Sequence, residues 1–260
     1  MRKLLPLLLT LTMVPAVGSA AVKTEPVEYR QGDTVLQGWL AYDDAVKEKR
    51  PGVLLIHDWM GVTDHQKSQV EKLAALGYVA LAADVYGKGV RPANATEAAA
   101  ESGRLYKNPV LLRARARAGL DFLAGRPQVD ATRLAATGYC FGGSGALELA
   151  RSGAPLRAVV TFHGTLDALM PGTPDDLKAS VLTLHGADDP YVKQEDVTAF
   201  MNEMRAAKAD WELIQYSGAV HSFTDPRAGT DNSKGAAYNA TADRRSWEAM
   251  KDFLAERLAK

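Results

Sequence analysis

The chain has 260 residues, and its 31 Lys plus Arg against 31 Asp plus Glu give a formal net charge of +0, which argues against nucleic acid as the main partner. A composition of 47% hydrophobic and 24% charged residues is that of a globular domain. Its single cysteine excludes both an intramolecular disulfide and a structural zinc site built on thiolates.

Residues 1–20 read as a signal peptide. Met1-Arg2-Lys3 is a positive start, Leu4 to Val17 is an apolar run interrupted by Pro6 and Pro15, and Gly18-Ser19-Ala20 offers small residues for cleavage after Ala20, with Ala21 the alternative. The run is too short to span a bilayer comfortably, and no other segment approaches that length. The mature chain, 21–260, is therefore expected to be a single domain, exported to a periplasmic or extracellular space, monomeric and without stable membrane insertion.

Two alternating runs, Val27 to Arg30 and Thr34 to Ala41, flank Gln31-Gly32-Asp33 and predict a β-hairpin. Pro51-Gly52 then introduces Val53-Leu54-Leu55-Ile56, a continuous apolar run suited to a parallel strand buried on both faces. A helix capped by Thr63 or Asp64 runs to Leu76, and Tyr78 to Ala83 is the next strand. Helices follow at about Ala95 to Arg104 and Val110 to Leu123; Arg113, Arg115 and Arg117 alternate along the second and read as a solvated face. After the strand Arg133 to Thr137 and a helix opening at Ser144 come the strand Leu156 to Phe162, an irregular region with Pro171 and Pro174, and the strand Val181 to His185. A helix from Lys193 to Ala206, the strand Trp211 to Tyr216 and a C-terminal helix from Ala240 to Leu258 complete the chain. Strands alternating with helices, with no repeat or linker, predict an α/β fold: one doubly wound, mostly parallel sheet with an antiparallel N-terminal edge.

Cys140 lies in Gly138-Tyr139-Cys140-Phe141-Gly142, between a predicted strand and a predicted helix. That is the spacing of a nucleophile elbow with Cys in place of Ser, where bulk at either glycine would strike neighbouring backbone. The helix after it directs free N–H groups and the positive end of its dipole at the sulfur, favouring thiolate and offering donors to an oxyanion. A buried thiol packed as a small hydrophobe is the competing reading, and the flanking glycines weigh against it.

Two further groups follow later strands, at the edge of the sheet where chemistry is expected. Asp189 comes after the strand ending at His185, with Asp188 its competitor, and His221 comes after the strand ending near Tyr216. Nucleophile, acid and histidine in that order suit a triad in which His221 moves the thiol proton and Asp189 fixes the imidazole. His57, His65, His163 and His185 show no metal-binding spacing and read as structural, so no metal and no cofactor are expected. Asn94-Ala95-Thr96 and Asn239-Ala240-Thr241 match a glycosylation tripeptide, a pattern that is also frequent by chance.

On Gly138 to Gly143, His185 to Val192, Val220-His221-Ser222-Phe223 and Ile56 to Gly61, the chain resembles the dienelactone hydrolase family of α/β-hydrolases over essentially its whole mature length. The resemblance implies the α/β-hydrolase fold, a catalytic triad of Cys140, Asp189 and His221, and an oxyanion hole formed by the N–H groups of Phe141 and Trp59. It also implies a small ester or lactone substrate. Asp58 falls where the family carries a glutamate implicated in controlling the resting thiol, and Asp225 falls where it carries an arginine that binds a substrate carboxylate. An acid there would repel such a substrate, and Arg227 is the neighbour placed to compensate, so Asp58 and Arg227 are candidate pocket residues. The span Asp225 to Asn239 either borders the pocket or is a plain surface connection. Two rival functions are a non-hydrolytic small-ligand binding protein on the same fold and an exported thiol redox protein; the second lacks a resolving cysteine.

Overall fold

The computed structural model describes residues 22–170 and 176–260. The predicted leader, 1–20, and the prolines Pro171 and Pro174 lie outside the described residues. Among the described residues no helix is long and apolar enough to cross a membrane.

Two long strands, β1 (Val22–Gln31) and β2 (Thr34–Asp43), form the predicted hairpin and extend it at both ends. Six strands follow: β3 (Arg50–Ile56), β4 (Val79–Ala83), β5 (Val129–Tyr139), β6 (Ala158–Phe162), β7 (Ser180–Gly186) and β8 (Trp211–Tyr216). The sheet order is β1-β2-β4-β3-β5-β6-β7-β8, antiparallel at the hairpin and parallel from β4 through β8. This is the α/β-hydrolase fold with the expected antiparallel edge.

The helices are α1 (Asp64–Ala75), α2 (Ala95–Tyr106), α3 (Pro109–Ala124), α4 (Phe141–Arg151), α5 (Gln194–Ala206) and α6 (Ala240–Arg257). Alternate residues of each buried strand feed two cores, one on each face. Leu54 and Ile56 pack with α2, α3, α4 and α5, whereas Val53 and Leu55 pack with α1 and α6. Sequence chemistry sets the helix starts. Thr63 and Gln66 form a capping box for α1, and Asn94, Asn108 and Asn239 each accept a backbone N–H in the first turn of the helix that follows. Both glycosylation-like tripeptides therefore begin with a helix N-cap, which accounts for their asparagines.

One expectation is corrected. The arginines of α3 are not a shared solvated face: Arg115 is buried and donates from Nη1 to the carbonyls of Val85 and Tyr86 at 2.8 and 2.7 Å. Arg113 pairs with the buried carboxylate of Glu148 at 2.7 Å, and Glu148 also holds Arg151 at 3.0 Å. Only Arg117, paired with Asp121 at 2.7 Å, sits in solvent as expected. Alternation has period 2, and two residues of helix turn through about 200°, so Arg115 points away from its neighbours on either side.

Successive crossovers run to one side of β3 and then to the other, because β4 pairs with one edge and β5 with the opposite edge. The crevice beyond the C-terminal ends of β3 and β5 is thus a topological switch point, where open α/β sheets bind ligands. Asp58 and Trp59 leave β3 there, and Cys140 leaves β5.

Candidate active site

Cys140 joins β5 to α4 with φ 55 and ψ −122, a conformation that side-chain-bearing residues rarely adopt. The helix begins at Phe141, three residues before the predicted Ser144, so Gly142 and Gly143 lie inside its first turn. Packing requires them: a Cβ on Gly142 would lie 2.1 Å from the Ile56 carbonyl oxygen, and one on Gly138 would lie 2.0 Å from the Gly142 carbonyl oxygen. The absence of side chains lets the helix start press against β3 and turn Cys140 outward.

His221 Nε2 lies 3.1 Å from Cys140 Sγ, and His221 Nδ1 lies 2.9 Å from Asp189 Oδ2. Asp189 is 6% exposed and His221 is 9% exposed, so their contact is shielded from water, whereas Cys140 is half-buried and faces the cleft. The other oxygen of Asp189 accepts the Tyr191 N–H at 2.9 Å, which fixes the carboxylate. Asp188 turns elsewhere and accepts the Gly218 N–H at 2.9 Å. Burial acts to discharge the His221 ring, but its bonds to Asp189 and Cys140 outweigh this and push its pKa up to about 10. The ring therefore holds a proton at neutral pH, between two groups that stabilise the charge.

The span Asp225 to Asn239 borders the site and also positions it. His221 donates its N–H to Gly235 at 3.2 Å and accepts from Ala237 at 3.0 Å, and a backbone bridge joins it to Ala236. Phe141 opens the helix, and its N–H has no intrahelical acceptor by position. Among the described residues neither that N–H nor the Trp59 N–H has a hydrogen-bond partner.

Asp58 is engaged on both oxygens, accepting from the Met60 N–H at 2.7 Å and from Gln66 Nε2 at 2.8 Å. Arg227 Nη2 lies 3.6 Å from Asp58 and 2.8 Å from Asp225. Two cavities open beside Cys140. One, of ≈ 340 Å³, is lined by Asp58, His65, His163, Asp225 and Arg227; the other, of ≈ 400 Å³, is lined by Trp59, Tyr106, Thr165, Tyr191 and His221. Tyr106 and Thr165 escape sequence reasoning because a mid-chain helix end and a loop threonine carry no signal of what they face. Tyr191 has one, since it follows Asp189-Pro190.

Two of the other four histidines make hydrogen bonds around the site. His163 donates to or accepts from Thr224 Oγ1 at 2.8 Å and meets the His221 ring edge-on at 5.2 Å. His57 accepts the Val85 N–H at 3.2 Å. Burial holds both His57 and His163 below the ordinary histidine range, and the charge on His221 lowers His163 further. Below the unfolded value near 6.5, the unfolded chain binds protons that these folded rings refuse, so stability falls with falling pH. In the window just below about pH 6.5 the expected loss is at most about 1.4 kcal/mol per pH unit for each ring. Urea unfolding across that window measures it, and a flat profile would contradict it. Among the described residues no three His, Cys, Asp or Glu side chains cluster so as to hold a metal ion.

An eight-stranded α/β-hydrolase sheet with a cysteine at its elbow, a histidine on the sulfur and a carboxylate on the histidine defines a hydrolase. A family comparison agrees: the model of the dienelactone hydrolase family matches residues 36–258. The chain belongs to that family. A dienelactone-hydrolase-like promiscuous phosphotriesterase from metagenomic libraries superposes with TM-score 0.88 at 43% identity, covering 92% of this chain and 100% of that one. A Salmonella typhimurium protein provisionally named carboxymethylenebutenolidase is 30% identical over 239 residues, 87% of this chain and 84% of its own. An uncharacterised Caenorhabditis elegans protein is 40% identical over 151 residues, 57% of this chain and 95% of its own.

Proposed function

We propose that this dienelactone-hydrolase-like enzyme cleaves a small ester or lactone through Cys140, His221 and Asp189, by way of a thioester on Cys140. The carrying observation is the unbroken run of contacts from sulfur to imidazole to carboxylate, 3.1 and then 2.9 Å. The proton shared between Cys140 and His221 rests on His221 Nε2, and the sulfur attacks the carbonyl carbon. The displaced electron pair settles on oxygen, where the Phe141 and Trp59 N–H groups are the donors; one such donor contributes about 3 kcal/mol to the transition state. Collapse expels the alcohol oxygen, which takes the proton from His221. The imidazole then deprotonates water, the hydroxide attacks the thioester, and the sulfur departs. Asp189 keeps Nδ1 protonated and Nε2 aimed at the sulfur throughout.

Phosphotriester cleavage is a second reading, favoured by the phosphotriesterase at 43% identity over nearly the whole chain. The same sulfur would attack phosphorus in place of carbon. Both readings extend to an exported enzyme, supported by the leader-like residues Met1 to Ala20.

One assay covers both reactions, because p-nitrophenyl acetate and diethyl p-nitrophenyl phosphate release the same coloured product. Asp189→Asn should lower kcat for the acetate about 10³-fold with little change in KM, since the acid orients the histidine and does not bind substrate. Retention of wild-type kcat in that variant would remove Asp189 from the mechanism. Release from the phosphate by the wild type supports the second reading, and no release rejects it.

A further inference from the structure

The cleft around Cys140 has two unlike lobes that share Trp59, Cys140, Ser222 and Ala236. An ester attacked at the sulfur can place one half in each. Trp59, Tyr106 and Tyr191 give the second lobe ring surfaces. The first lobe carries the carboxylates of Asp58 and Asp225 and the guanidinium of Arg227, two negative charges against one positive. Burial holds His65 and His163 below the ordinary histidine range, so neither adds a cation at neutral pH.

Arg227 is not free to receive an anion. Its Nε lies 2.9 and 3.2 Å from the two oxygens of Asp225, and its Nη2 lies 2.8 Å from Asp225 Oδ2. That side-on pair occupies one edge of the guanidinium, and Asp58 stands 3.6 Å from the same Nη2. Asp225 is itself fixed, because its Oδ1 accepts the Arg227 N–H at 2.9 Å and caps the short turn Pro226–Ala228. Asp58 is fixed by Met60 and Gln66. A substrate carboxylate would have to displace this pair to bind side-on through Nε and Nη2, and at any edge of the guanidinium it would lie near two like charges. Arg227 Nη1 bonds none of the described residues and remains able to donate to an uncharged oxygen.

We propose that the enzyme acts on uncharged or cationic esters, with an aromatic or hydrocarbon half against Trp59, Tyr106 and Tyr191 and a polar, non-anionic half against Asp58, Asp225 and Arg227. A free carboxylate on that polar half is rejected. The proposal rests on Cys140 being the nucleophile, as argued above.

Three p-nitrophenyl esters of matched chain length test it, ending in a carboxylate, a primary amide or a trimethylammonium group. For the wild type, kcat/KM for the amide and the ammonium ester should exceed that for the carboxylate by about tenfold or more, equivalent to about 1.4 kcal/mol. Asp225→Asn keeps the oxygen that caps the turn and releases Arg227, so the carboxylate-to-amide ratio should rise about tenfold. Arg227→Met removes the cation, and the ratio should fall below the wild-type value. Equal or preferred turnover of the carboxylate by the wild type overturns the proposal. Charge-blind hydrolysis that disappears in Cys140→Ala overturns this proposal alone. Hydrolysis that survives in Cys140→Ala, or no hydrolysis of any of the three, overturns the mechanism beneath it.

Discussion

Cys140→Ala is expected to lower ester turnover by at least about 10⁴-fold while leaving the protein folded. The loss follows from removing the attacking atom, since water at that position would lack both the nucleophilicity of sulfur and its placement. Folding should survive because the elbow is held by backbone contacts: the Cys140 N–H donates to Phe162 at 3.0 Å, and the Cys140 carbonyl accepts from Gly143 at 2.9 Å. Alanine tolerates the positive φ no worse than cysteine does. A second readout separates loss of the nucleophile from general damage. The bond to Cys140 is one cause of the raised pKa of His221, so in the variant the ring should titrate below its value of about 10. NMR titration of the imidazole reads this directly. Activity within tenfold of the wild type would contradict the assignment.

Gly142→Ala is expected to be among the most damaging single methyl additions in the chain. The new carbon would lie 2.1 Å from the Ile56 carbonyl oxygen and 2.4 Å from that of His57. Both are backbone atoms of the central strand β3 and its exit, so no rotamer change relieves the overlap; helix α4 must move off the sheet. A cost of about 4 kcal/mol or more is expected, equivalent to a fall in Tm of roughly 8–16 °C for a domain of this size. Gly103→Ala is the matched control. It also adds a methyl to a helical glycine, but nothing lies within 4 Å of its Cβ, and helix propensity favours Ala by about 1 kcal/mol. Thermal unfolding of the pair decides the matter, and equal Tm values would show that close approach does not account for the glycine.

The sheet was largely legible in sequence because its signals are local. Continuous apolar runs such as Val53 to Ile56 and Tyr78 to Ala83 are what strands buried on both faces require, and Trp211–Tyr216 has the predicted bounds. Cys140, Asp189 and His221 could be singled out because each follows a strand in the order the fold dictates, and the structure brings them within hydrogen-bonding reach of one another.

What escaped depends on long-range packing. Arg115 looked like its neighbours until helix geometry turned it onto the Val85 and Tyr86 carbonyls, 30 and 29 residues away in sequence. Helix α4 starts earlier than its composition suggests, because two glycines that weaken an isolated helix are the residues that permit its contact with β3. The ring-lined lobe needed Tyr106, Thr165 and Tyr191 from three separate connections, and nothing in any one of them marks the others. The span after Phe223 gave no regular pattern, yet its backbone at Gly235 and Ala237 is what holds His221 in place.

The nucleophile is tested most directly by catching it in use. Rapid acid quench of the enzyme with p-nitrophenyl acetate, followed by intact mass measurement and peptide mapping, should show one acetyl group on Cys140, formed in a burst of p-nitrophenolate and lost on further incubation. Product formed with no mass added to that peptide, or an acetyl group carried on another residue, would contradict a thioester at the elbow.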